Sequence, residues 1–320
     1  MERVQPQIDP YARDDGRLGV SLVSLSEIVL PCLQAADVGS VAEVGAYAGD
    51  LTELLLDAGF RVTAIDPSPQ DELEALVDGR PDLELLRMTS LEALDRIELP
   101  DAVILDGDHN HYTVSEELRR IRERAGGGPL PLLLLHDVCW PHGRRDDYFA
   151  PELIPADHRQ PTVEWSAIHP DEAGLTRKGM PYQWPAALEG GPRNGVLTAV
   201  EDFLAQSAGL RLAVVPAFFG LGVIWDSSAP WSDSLAELLE PWDRNPLLAR
   251  LEANRVRHLA EARFLVVRSE FEAEREGRVD DLLTKLLGSR IFALAERLSR
   301  LRKGGRPAFS KDELRRALSS

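Results

Sequence analysis

Residues 40–66 read SVAEVGAYAGDLTELLLDAGFRVTAID, and this stretch decides the fold. Ser40–Val44 reads as a buried strand, and Leu51–Leu56 carries the apolar face of a helix. Gly45 and Gly49 bracket the turn between them, and Arg61–Ile65 reads as a second short strand. A strand, a helix and a second strand of these lengths form one β-α-β unit of a parallel sheet.

The same stretch indicates which ligand the unit binds. Glycine has no Cβ, so a ligand can lie against the backbone at the turn. Asp66 closes the second strand, where a carboxylate can accept hydrogen bonds from the hydroxyls of a ribose. The spacing is G-x-x-x-G with the bulky Tyr47 inside it, whereas a dinucleotide fingerprint needs G-x-G-x-x-G. No Gly-Lys-Ser/Thr phosphate loop is present in the sequence. A nucleoside without phosphate is therefore expected, and S-adenosylmethionine fits; the alternative is a plain strand–glycine–helix turn.

Strands and helices continue to alternate along the chain. Further strands are predicted at 83–87, 101–105 and 131–135, and helices at 22–36, 51–58, 70–77, 91–95, 112–124 and 195–206. Two apolar runs at 211–215 and 221–225 predict an antiparallel hairpin. The pattern predicts an α/β fold: a doubly wound, Rossmann-like, mostly parallel seven-stranded sheet with an antiparallel last strand and ligands at the carboxyl ends of its strands.

The domain organisation is predicted from changes in composition. Residues 1–20 are polar and read as an N-terminal arm, and residues 21–230 form the α/β domain. Within it, residues 138–194 lack periodicity and are predicted to be a long lid or substrate loop. Residues 231–320 are predicted to be a helical C-terminal extension with a basic last segment. Self-association through these helices, giving a homo-oligomer, is expected, and docking to an acidic partner is the alternative.

Composition excludes several classes of function. The net charge of −17 argues against general nucleic-acid binding, which needs a positive surface. Two distant cysteines, Cys32 and Cys139, give neither a disulfide framework nor a CxxC zinc site. The longest apolar runs are too short to cross a membrane, and the N-terminus lacks an apolar signal core. The sequence therefore predicts a cytoplasmic protein with a small-molecule acceptor.

Polar residues gather after two neighbouring predicted strands. Asp106 follows the strand at 101–105, and His136 and Asp137 follow the strand at 131–135. Two carboxylates with one further ligand are expected to form a Mg²⁺ or Mn²⁺ site, or to hold another divalent cation. His109 is predicted to be the general base. The alternatives are that Asp106 positions the cofactor and that His136 is a hydrogen-bonded core residue.

Three motifs together resemble those of catechol-type, metal-dependent O-methyltransferases, which belong to class I of the S-adenosylmethionine-dependent methyltransferases. EVGAYAGDL is similar to that family's glycine motif, ILDGDHNHY to its strand-four motif and LLLLHDV to its strand-five motif. The resemblance implies that Asp106 is a metal ligand, that His109 stands where the family has a basic lysine, and that His136 and Asp137 replace an Asp-Asn ligand pair. The DGDH segment also resembles a related bacterial branch that acts on natural products and sugars.

The resulting hypothesis is a class I methyltransferase that transfers a methyl group to an oxygen of a small hydroxylated metabolite. His109 and His136 are the candidate catalytic residues. The predicted cofactor-binding residues are Glu43, Gly45, Tyr47, Gly49, Asp66, Thr89, Ser90 and Asp106. The alternatives are a metal-independent methyltransferase with a histidine base, a scaffold that acts through its C-terminal helices, and, less favoured, an NAD-linked oxidoreductase.

Two assignments concern loops. Thr89 and Ser90 follow the third strand, where this fold contacts adenine, although a cap for the next helix explains them equally well. His142, Arg144 and Arg145 are predicted to line the acceptor pocket, where the two arginines would suit an anionic acceptor. An exposed charged loop is the alternative for this segment.

Overall fold

The computed structural model describes residues 20–265 and, further on, residues 285, 294, 297 and 298. Its strands are β1 Ser40–Val44, β2 Arg61–Ile65, β3 Leu83–Leu86, β4 Ala102–Leu105, β5 Leu132–His136, β6 Ser166–His169, β7 Glu172–Thr176, β8 Met180–Tyr182, β9 Leu210–Val215 and β10 Leu221–Asp226. Its helices are α1 Ser26–Ala35, α2 Asp50–Asp57, α3 Asp71–Val77, α4 Ser90–Leu94, α5 His111–Arg124, α6 Val196–Ala205 and α7 Ser232–Leu239.

Seven strands form the main sheet in the order β3-β2-β1-β4-β5-β10-β9. β1 to β5 run parallel, and β10 is antiparallel to both β5 and β9. The chain moves outward from β1 to β3 and then returns to β4 on the other side of β1. The strand order therefore switches between β1 and β4, and ligands of such sheets bind outside the carboxyl ends at that point. The predicted doubly wound sheet with an antiparallel last strand is confirmed.

Apolar layers cover both faces of the sheet. Every residue of β4 and β5 is buried, as expected for strands with helices on both sides. One layer is built from α1, α2 and α7 and contains Leu33, Leu55 and Leu235. The other is built from α4, α5 and α6 and contains Leu118 and Val200. This packing fixes the carboxyl ends of β1, β4 and β5 relative to one another.

The segment 138–194 is not the unstructured loop that the sequence suggested. It contains a second, three-stranded antiparallel sheet in the order β7-β6-β8. Buried Asp146 ties the segment down: its Oδ1 accepts the backbone N–H groups of His111 at 2.8 Å and Gly195 at 2.6 Å, and its Oδ2 accepts the Tyr148 hydroxyl at 2.7 Å. Strands of three to five residues are too short to show a period in the sequence. We call residues 138–194 the lid.

Part of the predicted C-terminal extension packs on this same unit. Leu235 and Leu239 of α7 lie in the core, and residues 246–261 are helical, with Val256 and Ala260 buried against Met180 and Phe219. Residues 262–320 form a separate unit. The predicted helical extension beyond residue 265 lies almost wholly outside the described residues, as do the N-terminal arm and most of the basic segment. None of the helices described is both long and apolar enough to cross a membrane.

Candidate active site

The turn after β1 is held tightly against the turn after β4. Gly45 has φ +83°, and a Cβ on it would lie 2.0 Å from the carbonyl oxygen of Asp106. Only glycine fits this approach, because both the backbone angle and the space exclude a side chain. Tyr47 also has a positive φ, 47°, although it is not glycine. Positive φ in a bulky residue is uncommon and concentrates at functional sites.

A cavity of about 630 Å³ opens at the switch point between β1 and β4. The carboxyl ends of β1, β2 and β4, the start of α4, the start of α5 and part of the lid surround it. Its lining residues are Val44, Gly45, Tyr47, Ile65, Asp66, Pro67, Ser68, Gln70, Thr89, Ser90, Leu91, Glu92, Asp106, Gly107, Asp108, Tyr112, Thr113, Phe149, Ala150, Leu153 and Ile154. Four of these carry carboxylates, and within the described part of the chain this lining has no Lys, Arg or His. The cavity therefore favours a ligand with positive charge.

The turn at 45–49 uses three of its N–H groups inside the protein. Gly45 donates to the carbonyl oxygen of Ile65 at 2.9 Å, Tyr47 to Asp66 Oδ2 at 2.8 Å, and Gly49 to the carbonyl oxygen of Ala46 at 2.7 Å. A phosphate-binding turn instead points such groups at the ligand. This turn is therefore poorly suited to hold a pyrophosphate.

Six of the eight predicted cofactor residues line the cavity: Gly45, Tyr47, Asp66, Thr89, Ser90 and Asp106. Glu43 and Gly49 are not among its lining residues. Glu43 is buried and accepts a hydrogen bond from Thr52 Oγ1 at 2.6 Å, and burial raises its pKa to about 7. Gly49 lies against α3, where a Cβ would come within 2.9 Å of Leu76. Both residues support the turn but do not line the cavity.

Asp66 and Thr89 each combine two roles. Asp66 Oδ1 accepts the backbone N–H of Ser68 at 2.7 Å, so both oxygens of this carboxylate are fixed at the cavity wall. Each carboxylate oxygen can still accept a second hydrogen bond. Thr89 caps α4 in a capping box with Glu92 and also lines the cavity, so the cap and the cavity positions coexist in one residue.

Beside the cavity, Asp106, His109, His136 and Asp137 converge. His109 Nε2 lies 3.3 Å from Asp106 Oδ1 and 3.0 Å from Asp137 Oδ2. His136 Nδ1 lies 2.9 Å from Asp106 Oδ1 and 3.4 Å from Asp137 Oδ2. The four atoms thus form a closed circuit that alternates nitrogen and oxygen. We call these four side chains the His–Asp quartet.

Charges in the quartet stabilise one another. Burial opposes the charge on each histidine, but the neighbouring carboxylates outweigh it and raise the pKa of His109 to about 10 and that of His136 to about 9. Burial likewise opposes the charge on Asp106, yet His136 and His109 hold its pKa at about 2. Without another cation in the quartet, both imidazoles therefore carry a proton at neutral pH, and neither is a ready base.

Two further observations concern the carboxylate side of the quartet. Asp137 has φ 59°, a backbone conformation that non-glycine residues adopt infrequently. Its Oδ1 is buried and has no hydrogen-bond partner among the described residues. An unpaired buried carboxylate oxygen is costly unless a positive charge lies close to it. The quartet thus has the donor set and the unmet charge that a cation would satisfy.

His142, which is predicted to line the acceptor pocket, is not among the lining residues of the cavity. It is buried, its ring stacks on that of His109 with the centroids 5.0 Å apart, and Tyr182 packs edge-on against it. Burial and the neighbouring charged histidines lower the pKa of His142 well below its usual value, so its ring is neutral. His142 supports His109 from the side of the lid and could join it and Asp137 around an ion.

The two predicted acceptor arginines are used elsewhere. Arg145 is fully buried and donates to the carbonyl oxygens of Ala186 at 2.5 Å and Ala173 at 2.7 Å. Arg144 makes a bidentate pair with Glu201 at 2.6 and 2.7 Å. Arg145 thus holds the lid together, and Arg144 joins the lid to α6. Binding of an anionic acceptor by these arginines stays a prediction.

Sequence reasoning missed Asp108 and the lid residues of the cavity wall. Asp108 Oδ1 accepts the backbone N–H of Phe149 at 3.0 Å, and its Oδ2 accepts the Thr113 hydroxyl at 3.0 Å. It therefore joins the lid to the start of α5. Phe149 and Leu153 line the cavity although they are more than 60% exposed. The aspartate was visible in the DGDH motif, but nothing in the sequence indicated which lid residues reach the cavity.

Comparison with known proteins finds similarity to solved structures. No family model and no curated protein matches the chain. Solved structures similar to it include a presumed caffeoyl-CoA O-methyltransferase from Staphylococcus aureus, at 13% identity over 65% of this chain and 84% of that one, with a TM-score of 0.40. A methyltransferase from Podospora anserina with bound S-adenosylhomocysteine matches at 15% identity over 67% and 82%, with a TM-score of 0.41. The 1,6-didemethyltoxoflavin-N1-methyltransferase of Burkholderia thailandensis matches at 17% over 66% and 80%, with a TM-score of 0.35. Likenesses this low carry no statement about the activity of this chain.

Proposed function

We propose that the protein is a class I S-adenosylmethionine-dependent methyltransferase that methylates an oxygen of a small hydroxylated metabolite, of the sugar or natural-product class. The observation that carries the proposal is the carboxylate-lined cavity at the switch point, closed on one side by a turn in which Gly45, Tyr47 and Gly49 donate their N–H groups within the protein. S-adenosylmethionine has a net positive charge and no phosphate. A pyridine dinucleotide would bring an anionic pyrophosphate into this cavity.

Groups on the cavity wall suit three parts of the cofactor: the ribose, the adenine and the sulfonium end. Asp66 offers two oxygens to the ribose hydroxyls at the tip of β2. Thr89, Ser90 and Leu91 line the wall where this fold holds adenine. Asp106 reaches both the cavity and the His–Asp quartet, so the sulfonium end of the cofactor would lie next to the quartet.

A divalent cation is the second component of the proposal, and the residues fit it. Asp106, His136 and Asp137 would hold it, and the unpaired Asp137 Oδ1 marks an unmet need for positive charge. Bound there, such an ion would supply Lewis acidity that lowers the pKa of an acceptor hydroxyl. His109 either accepts the hydroxyl proton or serves as a further ligand.

The transfer itself is an in-line displacement. The acceptor oxygen forms a bond to the methyl carbon while the bond from that carbon to sulfur breaks, and the electron pair leaves with S-adenosylhomocysteine. The hydroxyl proton passes to a base or to solvent. Positioning of the two reactants provides most of the acceleration in such reactions. Phe149 and Leu153 of the lid cover the cavity and would limit the access of water.

Calorimetry on the full chain tests the proposal. We expect S-adenosylmethionine and S-adenosylhomocysteine to bind with micromolar dissociation constants and NAD to bind at least 100-fold more weakly. Mass spectrometry with a panel of catechols, sugars and phenols then tests for a gain of one methyl group. Tight binding of NAD with no binding of S-adenosylhomocysteine would refute the proposal.

The metal-independent route is the competing mechanism within this function. It requires His109 or His136 to accept a proton, yet the carboxylates keep both protonated at neutral pH when no metal is bound. Activity that persists in excess EDTA would favour this route and remove the cation from the mechanism.

A further inference from the structure

We propose that the His–Asp quartet binds a first-row transition-metal ion, such as Mn²⁺, Co²⁺ or Zn²⁺, in preference to Mg²⁺, with His109 and His136 both as ligands. The inference rests on the proposed function and specifies the cation that this same site uses. It also assigns His109 to the ion and not to proton transfer. The argument depends on the four donor atoms and on the residues that orient them.

The spacing of the donors suits a bound ion. The four nitrogen–oxygen separations around the circuit are 3.3, 2.9, 3.4 and 3.0 Å. Adjacent ligands around an octahedral ion with bonds of about 2.1 Å lie about 3.0 Å apart. All four nitrogen–oxygen separations are close to that distance.

The hydrogen-bond partner of His136 Nε2 orients the ring as a metal ligand. Its Nε2 lies 2.7 Å from the carbonyl oxygen of Phe218, which can only accept, so Nε2 carries a hydrogen. Nδ1 therefore faces the oxygens of Asp106 and Asp137, where it can bind a cation held between the two carboxylates. When no ion is bound, a proton on Nδ1 takes that place. Metal-bound histidines usually donate their other N–H to a carbonyl or carboxylate in this way.

Protons alone leave part of the quartet unsatisfied. A proton on each histidine would pair Asp106 Oδ1 and Asp137 Oδ2, but Asp137 Oδ1 would remain buried with no partner in the described chain. A divalent ion places a full charge next to that carboxylate. Asp137 also has a left-handed backbone, φ 59°, a conformation that concentrates at functional sites.

Donor chemistry then selects the class of metal. Two of the four donors are imidazole nitrogens, and His142, stacked on His109, adds a third imidazole with an unpaired Nδ1. Mg²⁺ prefers an all-oxygen shell and keeps its waters, whereas imidazole suits Mn, Fe, Co, Ni and Zn. His109 and His136 thus supply nitrogen ligands where carboxylate or amide oxygens would favour Mg²⁺.

Direct metal binding tests the inference without relying on activity. The full chain, stripped with a chelator and dialysed, is titrated by calorimetry with Mn²⁺, Co²⁺, Zn²⁺ and Mg²⁺. We expect one site that prefers the transition ions over Mg²⁺ by at least 100-fold. Pulsed EPR of the Mn²⁺-loaded wild type should detect coupled imidazole nitrogen, and this readout needs no variant.

Variants assign the ligands. His109→Ala and His136→Ala should each weaken Mn²⁺ binding at least 30-fold, while His258→Ala, an exposed histidine on the helix at 246–261, should leave it unchanged. The double variant His109→Asp, His136→Asp should shift the preference toward Mg²⁺. Binding of S-adenosylhomocysteine reports whether each variant is folded.

The outcomes separate the two proposals. If S-adenosylhomocysteine does not bind the wild type, the proposed function fails. If it binds while Mg²⁺ competes equally with Mn²⁺, or EPR detects no nitrogen, the metal inference is overturned and the proposed function stands. If it binds and no ion binds, the metal inference and the cation of the proposed function both fail, and the metal-independent methyltransferase remains. Full Mn²⁺ affinity in His109→Ala would overturn the assignment of His109 as a ligand.

Discussion

The carboxylate of Glu252 accepts the backbone N–H of Phe219 at 2.8 Å. This contact holds the turn between β9 and β10, in which the preceding residue, Phe218, accepts the Nε2–H of His136 at 2.7 Å. Arg255 lies over the Phe219 ring at 4.7 Å and reinforces the same turn. Glu252, on the helix at 246–261, therefore positions His136 of the His–Asp quartet. It accepts the N–H of the Phe218–Phe219 peptide group, and the carbonyl oxygen of that same group accepts the imidazole N–H.

Replacing Glu252 should affect both stability and the quartet. Glu252→Ala leaves a buried N–H unpaired, so the free energy of unfolding should fall by about 1–3 kcal/mol. Mn²⁺ affinity should fall about tenfold because His136 loses its fixed carbonyl partner. Glu252→Gln keeps an acceptor oxygen and should restore both, and Glu261→Ala on the same helix is the exposed control. An Mn²⁺ affinity unchanged in Glu252→Ala would contradict the positioning role.

Gly45 and Gly59 form a matched pair for testing the turn. Both have a positive φ, +83° and +92°, but a Cβ on Gly59 would meet nothing within 4 Å. Gly59→Ala should therefore cost only the backbone strain, about 1–2 kcal/mol. Gly45→Ala carries that strain and also displaces the backbone of Asp106. We expect Gly45→Ala to abolish cofactor binding and to weaken metal binding, measured by calorimetry, while Gly59→Ala binds both normally. Equal effects from the two substitutions would argue against the tight approach.

Glu43 should make stability depend on pH. Burial disfavours its charge and raises its pKa from the ordinary 4.5 to about 7 in the folded protein. Between these values the unfolded state binds fewer protons, so stability falls as pH rises from 4.5 to 7 and is flat above. At roughly 1.4 kcal/mol per pKa unit, the loss is of the order of 3 kcal/mol. Glu43→Gln stays neutral and should gain about this much over the wild type at pH 8 and nothing at pH 4.5.

Denaturant unfolding at several pH values measures the Glu43 effect as a difference between variants. The control is Glu84→Gln, at an exposed position in β3. A difference between wild type and Glu43→Gln that does not change between pH 4.5 and 8 would show that folding does not raise the pKa of Glu43.

Asp66 should separate cofactor binding from folding. Asp66→Asn loses the charged acceptor at the cavity wall, and charge-assisted hydrogen bonds contribute about 1.5–3 kcal/mol, so affinity for S-adenosylhomocysteine should fall roughly 10- to 100-fold. Metal binding at the quartet should persist, since Asp66 contacts the turn at Tyr47 and Ser68. Asp233→Asn, at an exposed position of α7, is the control. Normal affinity in Asp66→Asn would remove this carboxylate from the cofactor site.

The sheet could be predicted because its determinants are local. Gly45, the apolar run of β1 and the acid after β2 are read directly from the sequence, and strand ends differ from the predicted ones by about one residue. The convergence of Asp106, His136 and Asp137 could also be predicted, because parallel strands place their carboxyl ends at one edge.

The lid could not be predicted, because its residues are placed by tertiary contacts. Arg145 reads as an exposed charge, yet the backbone carbonyls of Ala173 and Ala186 take up its guanidinium in the interior. His142 reads as a loop residue, yet it stacks under His109. The direction of these side chains depends on β6–β8, whose strands are too short to leave a periodic pattern.

The four carboxylates around the cavity also bear on how turnover would end. Methyl transfer removes the sulfonium charge, so the spent nucleoside is neutral overall while the walls of its pocket remain negative. Coulombic attraction that favours loading of the charged reactant is therefore lost in the same step that forms the methylated compound. On the proposed function, the pocket would release S-adenosylhomocysteine more readily than S-adenosylmethionine.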